Sequence, residues 1–118
     1  MSTIRALLLP ICLVLALWVT GSHAAADGTD ATAELSNLIL AIEQVFPSDQ
    51  QGMAMYLAMR ESGGDCSVRI IDTNNEISAG CWQVQPVWWG EVSSDVNEQD
   101  NQVWLIVQEH GWKPWAVD

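Results

Sequence analysis

Apolar residues recur at helical spacing through Leu35, Leu38, Ile39, Ile42, Val45 and Phe46, with Glu34 in the first turn of the pattern. Steps of three and four residues put these side chains on one face, so an amphipathic helix is predicted from Thr32 to just before Pro47. Its end follows from Pro47, because the residue ahead of a proline is pushed out of helical geometry. The small and polar residues before it, Asp27 to Ala31, read as a flexible lead-in. Ser48 followed three residues later by Gln51 has the form of a capping box and predicts the start of a second helix. That helix carries Met53, Ala54, Leu57, Ala58 and Glu61, and it stops at Gly63-Gly64, where positive φ meets no Cβ clash.

Past the glycines the pattern changes. Arg69-Ile70-Ile71 and Ile77 flank the polar run Asp72-Thr73-Asn74-Asn75-Glu76, which predicts a small hairpin around an Asn-rich turn. Gly80 allows close backbone approach, and Pro86 suits the first turn of a short helix holding Trp88 and Trp89. A last helix is predicted from about Gln99 to His110, with Val103, Trp104, Ile106 and Val107 apolar and Gly111 ending it. The predicted fold is α+β and mainly α, a small domain with one short β-hairpin and no internal repeats.

The N-terminus alters the picture of what folds. One positive charge at Arg5 precedes an apolar run from Ala6 to Val19 that is short for a bilayer span, and small residues around Ser22 to Ala26 follow it directly. A secretory signal over 1–26 is expected, leaving a domain over 27–118 that is secreted or periplasmic and has no membrane contact once the signal is cleaved; the competing reading is an uncleaved anchor. The exported part, about 92 residues, supports only a small core, so extra fastening is expected. Cys12 leaves with the signal, and Cys66 and Cys81 remain. In an oxidising compartment an even pair predicts a disulfide, the alternative being two buried thiols. Closing a loop of about 15 residues stabilises by roughly 3 kcal/mol in chain-entropy terms.

Charge narrows the partners. All fifteen acids lie beyond the signal against three bases there, Arg60, Arg69 and Lys113, a net −12. Such a chain repels nucleic acid and anionic lipid, and a solvated acidic surface is the simplest account of it. A monomer is expected.

Glu61 is the ionisable residue that packing does not explain. Residues three, four and seven positions before it are Ala58, Leu57 and Ala54, so its carboxyl belongs to the apolar face, with small alanines beside it. Desolvation disfavours a charged carboxylate, and a carboxylic acid that keeps its proton near neutrality is a usable proton donor. Equally open on the pattern alone are an ion pair with Arg69 and a solvated residue at a fraying helix end.

Glu61-Ser62-Gly63, a variable loop, Ser78-x-Gly80-x-x-Gln83-Val84-x-Pro86 and a distal Gly111-Trp112-x-Pro114-Trp115 together resemble the lysozyme-like superfamily, in particular its soluble lytic transglycosylase and phage lysozyme branch. The segment from Gly80 to Trp89 also resembles a strand and turn of c-type lysozymes. Each motif alone is weak, but three in order in an exported chain are much stronger. The resemblance covers roughly Gln51 to Trp115 and implies a peptidoglycan-cleaving glycosidase with Glu61 as catalytic acid, acting on the MurNAc-GlcNAc β-1,4 bond of glycan strands.

Glycosidic oxygen is a poor leaving group and must be protonated as an oxocarbenium-like centre develops; ordinary hydrolysis also needs a second carboxylate, about 5–5.5 Å away for retention or about 6.5–9.5 Å for inversion. By resemblance, c-type lysozymes carry an aspartate two residues before the glycine matching Gly80, where this chain has Ser78. That departure favours the transglycosylase branch, in which one glutamate serves as acid and then base and the muramic 6-hydroxyl closes an anhydro ring. Asp65, Asp72 and Glu76 are carboxylates that hydrolysis could use instead.

Ser78 and Gln83 match family positions near the acid and either contact it or the sugar, or satisfy hairpin backbone groups. Trp88 and Trp89 offer flat faces to pyranose rings, with one of the pair expected to serve. Trp104, Trp112 and Trp115 read as core, and His110 as a helix-end charge. No metal and no cofactor are expected. The rival from another class is a lysozyme-like module that binds glycan or a partner without cutting.

Overall fold

The computed structural model of the chain describes residues 24–117. Helix α1 spans Ala24–Val45, α2 Ser48–Ser62, strands β1 Arg69–Ile71 and β2 Ile77–Ala79, α3 Pro86–Trp89 and α4 Val96–His110, followed by a 3-10 turn Lys113–Trp115. The α+β, mainly helical class with a single two-stranded antiparallel hairpin is therefore the observed one. Residues 1–23 of the predicted signal lie outside the described residues. Among the described residues no helix is long and apolar enough to cross a membrane.

Two boundaries and one cap differ from expectation, while the second helix begins at Ser48 as expected. The lead-in Asp27 to Ala31 is helical, since α1 begins at Ala24; alanine has the highest helix propensity, and four of them stand in this stretch at Ala24, Ala25, Ala26 and Ala31. The capping box at Ser48 and Gln51 does not form: Pro47 occupies the cap, and Gln51 Nε2 instead donates to the Phe46 carbonyl at 3.0 Å. Helix α4 starts at Val96, earlier than Gln99, because the Asp95 carboxylate accepts the Glu98 N–H at 3.1 Å and caps the first turn.

Helix α1 packs against both α2 and α4. Its stripe Leu38, Ala41, Ile42 and Phe46 meets Ala54, Leu57 and Ala58 of α2 and Val103, Ile106 and Val107 of α4 in one core. Ile39, counted in the stripe, turns outward. Trp82, 1 % exposed, fills the middle: its Nε1 donates to the Ala54 carbonyl at 2.9 Å, and its own carbonyl accepts Trp115 Nε1 at 2.8 Å. A buried indole N–H needs such a partner. Phe46 lies 6.1 Å from Trp82, 5.6 Å from Trp104 and 6.0 Å from Trp112 between ring centres; Trp112 and Trp115 are core, as expected, and Trp104 packs against it half-buried.

The second helix ends at Gly63, which adopts φ 68° and returns its N–H to the Met59 carbonyl at 2.9 Å. The Cys66–Cys81 disulfide then ties the segment after the break to the turn after β2. Close approach at Gly80 is also observed: at φ +81° an added Cβ would meet Gln99 Oε1 at 2.6 Å.

Candidate functional site

Glu61 sits in the last turn of α2, and the spacing that placed it on the apolar face leaves it 4 % exposed. A solvated position at a fraying end is thereby excluded. Its Oε2 accepts Arg60 Nε at 3.2 Å, and Arg60 Nη2 donates onward to the Trp115 carbonyl at 2.6 Å. The C-terminal turn is thus bound to the guanidinium that touches the acid. Beside it, buried Ser62 gives its Oγ proton to the Ala58 carbonyl and accepts the Gly64 N–H, which fixes the chain as it leaves the helix.

The hairpin builds a second polar cluster. β1 and β2 pair with Ile70 opposite Ser78. Asp72, at the start of the turn, accepts Thr73 N–H at 2.7 Å and Thr73 Oγ1 at 3.5 Å on Oδ1, and Ser78 Oγ at 3.4 Å on Oδ2. Gln85, 0 % exposed, donates Nε2 toward Asp72 Oδ2, Asn74 Oδ1 and Ser78 Oγ, each at 3.2 Å. Its Oε1 accepts Asn74 Nδ2 at 3.0 Å and the indole Nε1 of Trp88 at 3.1 Å.

Gln83 adopts φ 51° in the tight turn after β2, where Ala79 and Val84 exchange backbone bonds at 2.9 Å in both directions. Its Nε2 donates to the carbonyls of Val68 at 3.0 Å and Gly80 at 2.8 Å. The Gln83 amide nitrogen thus serves backbone carbonyls beside the hairpin, whereas the Ser78 hydroxyl bonds side chains, those of Asp72 and Gln85. Trp88 and Trp89 separate: Trp88 is 65 % exposed, whereas Trp89 sits against the core with its ring centre 5.3 Å from that of His110.

Several residues escaped the sequence reading. Gln85 was visible only as a polar residue in an apolar run, and Trp82 as one tryptophan among several. Gln99 bridges both half-cystines, with Oε1 accepting Cys81 N–H at 3.0 Å and Nε2 donating to the Cys66 carbonyl at 3.0 Å and to the Ser93 carbonyl at 2.8 Å. Asp100 is fully buried with neither carboxylate oxygen hydrogen-bonded, and burial pushes its pKa from 3.8 up to about 8. Its place on the buried face of α4, one turn from Val96, Val103 and Trp104, was legible as periodicity but its missing partner was not.

A cavity of about 190 Å³ lies between α1, the loop after α2 and the N-terminus of α4, lined among others by Glu34, Asn37, Cys66, Ser67 and Val96; neither Glu61 nor the hairpin cluster lines it. Among the described residues no three His, Cys, Asp or Glu side chains are grouped to share a metal ion.

The arrangement offers one buried carboxyl with a cation on one oxygen, a hairpin carboxylate held beside a serine, and an exposed indole tied to that hairpin. The family described as a lysozyme-like domain matches residues 39–117, from within α1 to just past the last turn. No curated protein and no solved structure matches the chain.

Proposed function

The chain belongs to the lysozyme-like domain family, of the SLT type, and from that premise we propose that it is an exported peptidoglycan-cleaving glycosidase in which Glu61 is the proton donor. The observation that carries this reading is the burial of Glu61 at the end of α2, where the family's acid motif Glu61-Ser62-Gly63 stands. Glu61 protonates the oxygen of the MurNAc-GlcNAc bond as the sugar takes on oxocarbenium character. The carboxylate left behind lies 3.2 Å from Arg60 Nε. It then accepts the proton of the muramic 6-hydroxyl, which closes the anhydro ring, so a lytic transglycosylase needs no second acid. The disulfide supports a secreted or periplasmic setting, and Trp88 is the member of the tryptophan pair whose face is available to a sugar.

A second reading, hydrolysis, has its own support. Ser78 replaces the expected second carboxylate, but Asp72 brings one to 3.4 Å from the Ser78 hydroxyl. A lysozyme-type reaction would use it as nucleophile or base.

Purified peptidoglycan digested by the parent protein, Glu61→Gln and Asp72→Asn, with products identified by mass spectrometry, separates these readings. Anhydro-muropeptides from the parent and from Asp72→Asn, but not from Glu61→Gln, are expected. Reducing-end products that vanish in Asp72→Asn favour hydrolysis. Glycan binding without cleavage by any of the three sinks the enzyme reading and leaves a binding module.

A further inference from the structure

Gln85 is wholly buried, yet its amide reaches an indole that is two-thirds exposed. The two groups it joins are one-sided. A carboxylate such as that of Asp72 only accepts and an indole N–H only donates, so a single orientation of the amide satisfies both, with Nε2 toward Asp72 and Oε1 toward Trp88. Asn74 pairs with the same amide in both directions, and Ser78 Oγ takes a share of Nε2, which locks that orientation further. Glutamate at 85 would set carboxylate against carboxylate, and methionine would leave Asp72 and the indole without this partner.

Packing does not hold the Trp88 ring. Helix α3 has only four residues, none of them buried. An exposed aromatic on so short a helix samples several rotamers, and freezing one on binding opposes affinity. The bond to Gln85 ties the ring to the hairpin, and through it to the Asp72–Ser78 pair.

We propose that Gln85 is a positioning residue that presents the Trp88 indole in one orientation as a platform for a pyranose ring of the glycan strand. This rests on the peptidoglycan reading above. The effect belongs to substrate binding: pre-ordering the ring lowers KM and leaves the chemistry at Glu61 unchanged.

The test is a double-mutant cycle on soluble peptidoglycan strands with Gln85→Met, Trp88→Phe and the pair, combined with ¹⁵N-indole NMR of the unliganded proteins. Gln85→Met is expected to shift the Trp88 indole N–H resonance, speed its exchange with solvent, and raise KM about three- to tenfold with kcat within about twofold. Trp88→Phe keeps a ring and loses the N–H, and at an exposed position it does not threaten folding. It is expected to raise KM as well, and the second substitution to add nothing. An unmoved indole resonance in Gln85→Met, an unchanged KM in Trp88→Phe, a loss confined to kcat, or additive effects on KM each overturn the proposal while the peptidoglycan reading stands. A parent protein that neither binds nor cuts the strands removes both.

Discussion

Asp100 sets a pH dependence of stability that can be worked from its surroundings. Its carboxyl is fully buried, has no hydrogen-bond partner and is raised from 3.8 to about 8 by desolvation. The unfolded chain releases this proton near pH 4, while the folded chain keeps it until about pH 8, so between those values the folded state binds one proton more. Stability therefore falls as pH rises, by up to about 1.4 kcal/mol per unit from this group, and levels off above the folded pKa. At pH 7 the span above 3.8 is 3.2 units, an upper figure of about 4 kcal/mol. That is a large part of the roughly 5–15 kcal/mol that holds a domain together. Asp100→Asn is nearly the same shape and cannot ionise. Urea unfolding of parent and variant at pH 5, 6, 7 and 8 is the assay, read as the difference at each pH, so that self-repulsion of the acidic surface, common to both, cancels. The variant's advantage is expected to grow with pH and to approach a plateau near 8. Parallel curves across this range would refute the buried, unpaired assignment of Asp100.

Three further outcomes follow from the fold. Replacing Cys66 and Cys81 together by serine is expected to lower stability by about 3 kcal/mol, read as a reduced denaturant midpoint, and an unchanged midpoint would show the bridge to be redundant. Trp82→Ala empties the centre of the core and removes the indole donor from the Ala54 carbonyl, with an expected loss of about 3–5 kcal/mol and a lowered melting temperature by circular dichroism. Gly80→Ala forces a Cβ onto Gln99 Oε1 from a left-handed backbone; about 1–3 kcal/mol of destabilisation is expected, with faster hydrogen exchange at the Cys81 N–H if the Gln99 bridge is what gives way.

The outline of the fold and the burial of the candidate acid could be read in advance because both rest on local rules. Glu61 was found by its spacing from Ala54, Leu57 and Ala58, and its burial follows from that face. The hairpin and both glycine breaks likewise follow from short-range signals. Capping is where local options compete: the second helix starts at Ser48 as expected, yet Gln51 bonds the Phe46 carbonyl instead of closing a box, whereas Asp95 caps Glu98 and starts α4 ahead of Gln99. Nothing in the spacing distinguishes these cases. Ser78 and Gln83 hold family positions, and strand pairing with the turn at Gly80 brings the Asp72 carboxylate within reach of the Ser78 hydroxyl and the Val68 and Gly80 carbonyls within reach of the Gln83 amide, partners that no local spacing specifies.

By itself the sequence determined the helical periods, the glycine stops, the even pair of cysteines and the acid on an apolar face, since each depends on residues within a turn or two of one another. Tertiary structure alone decided the partners of polar groups distant along the chain. Gln85 reaches Asp72 and Asn74 across the hairpin, Gln99 reaches the disulfide from α4, Arg60 reaches the Trp115 carbonyl, and Asp100 reaches no partner at all. A buried polar group is governed by whichever donors or acceptors the packed core sets within about 3 Å of it. That distance is fixed only when all the elements have met, which is why the burial of Glu61 could be anticipated and the partners of Gln85, Gln99 and Asp100 could not.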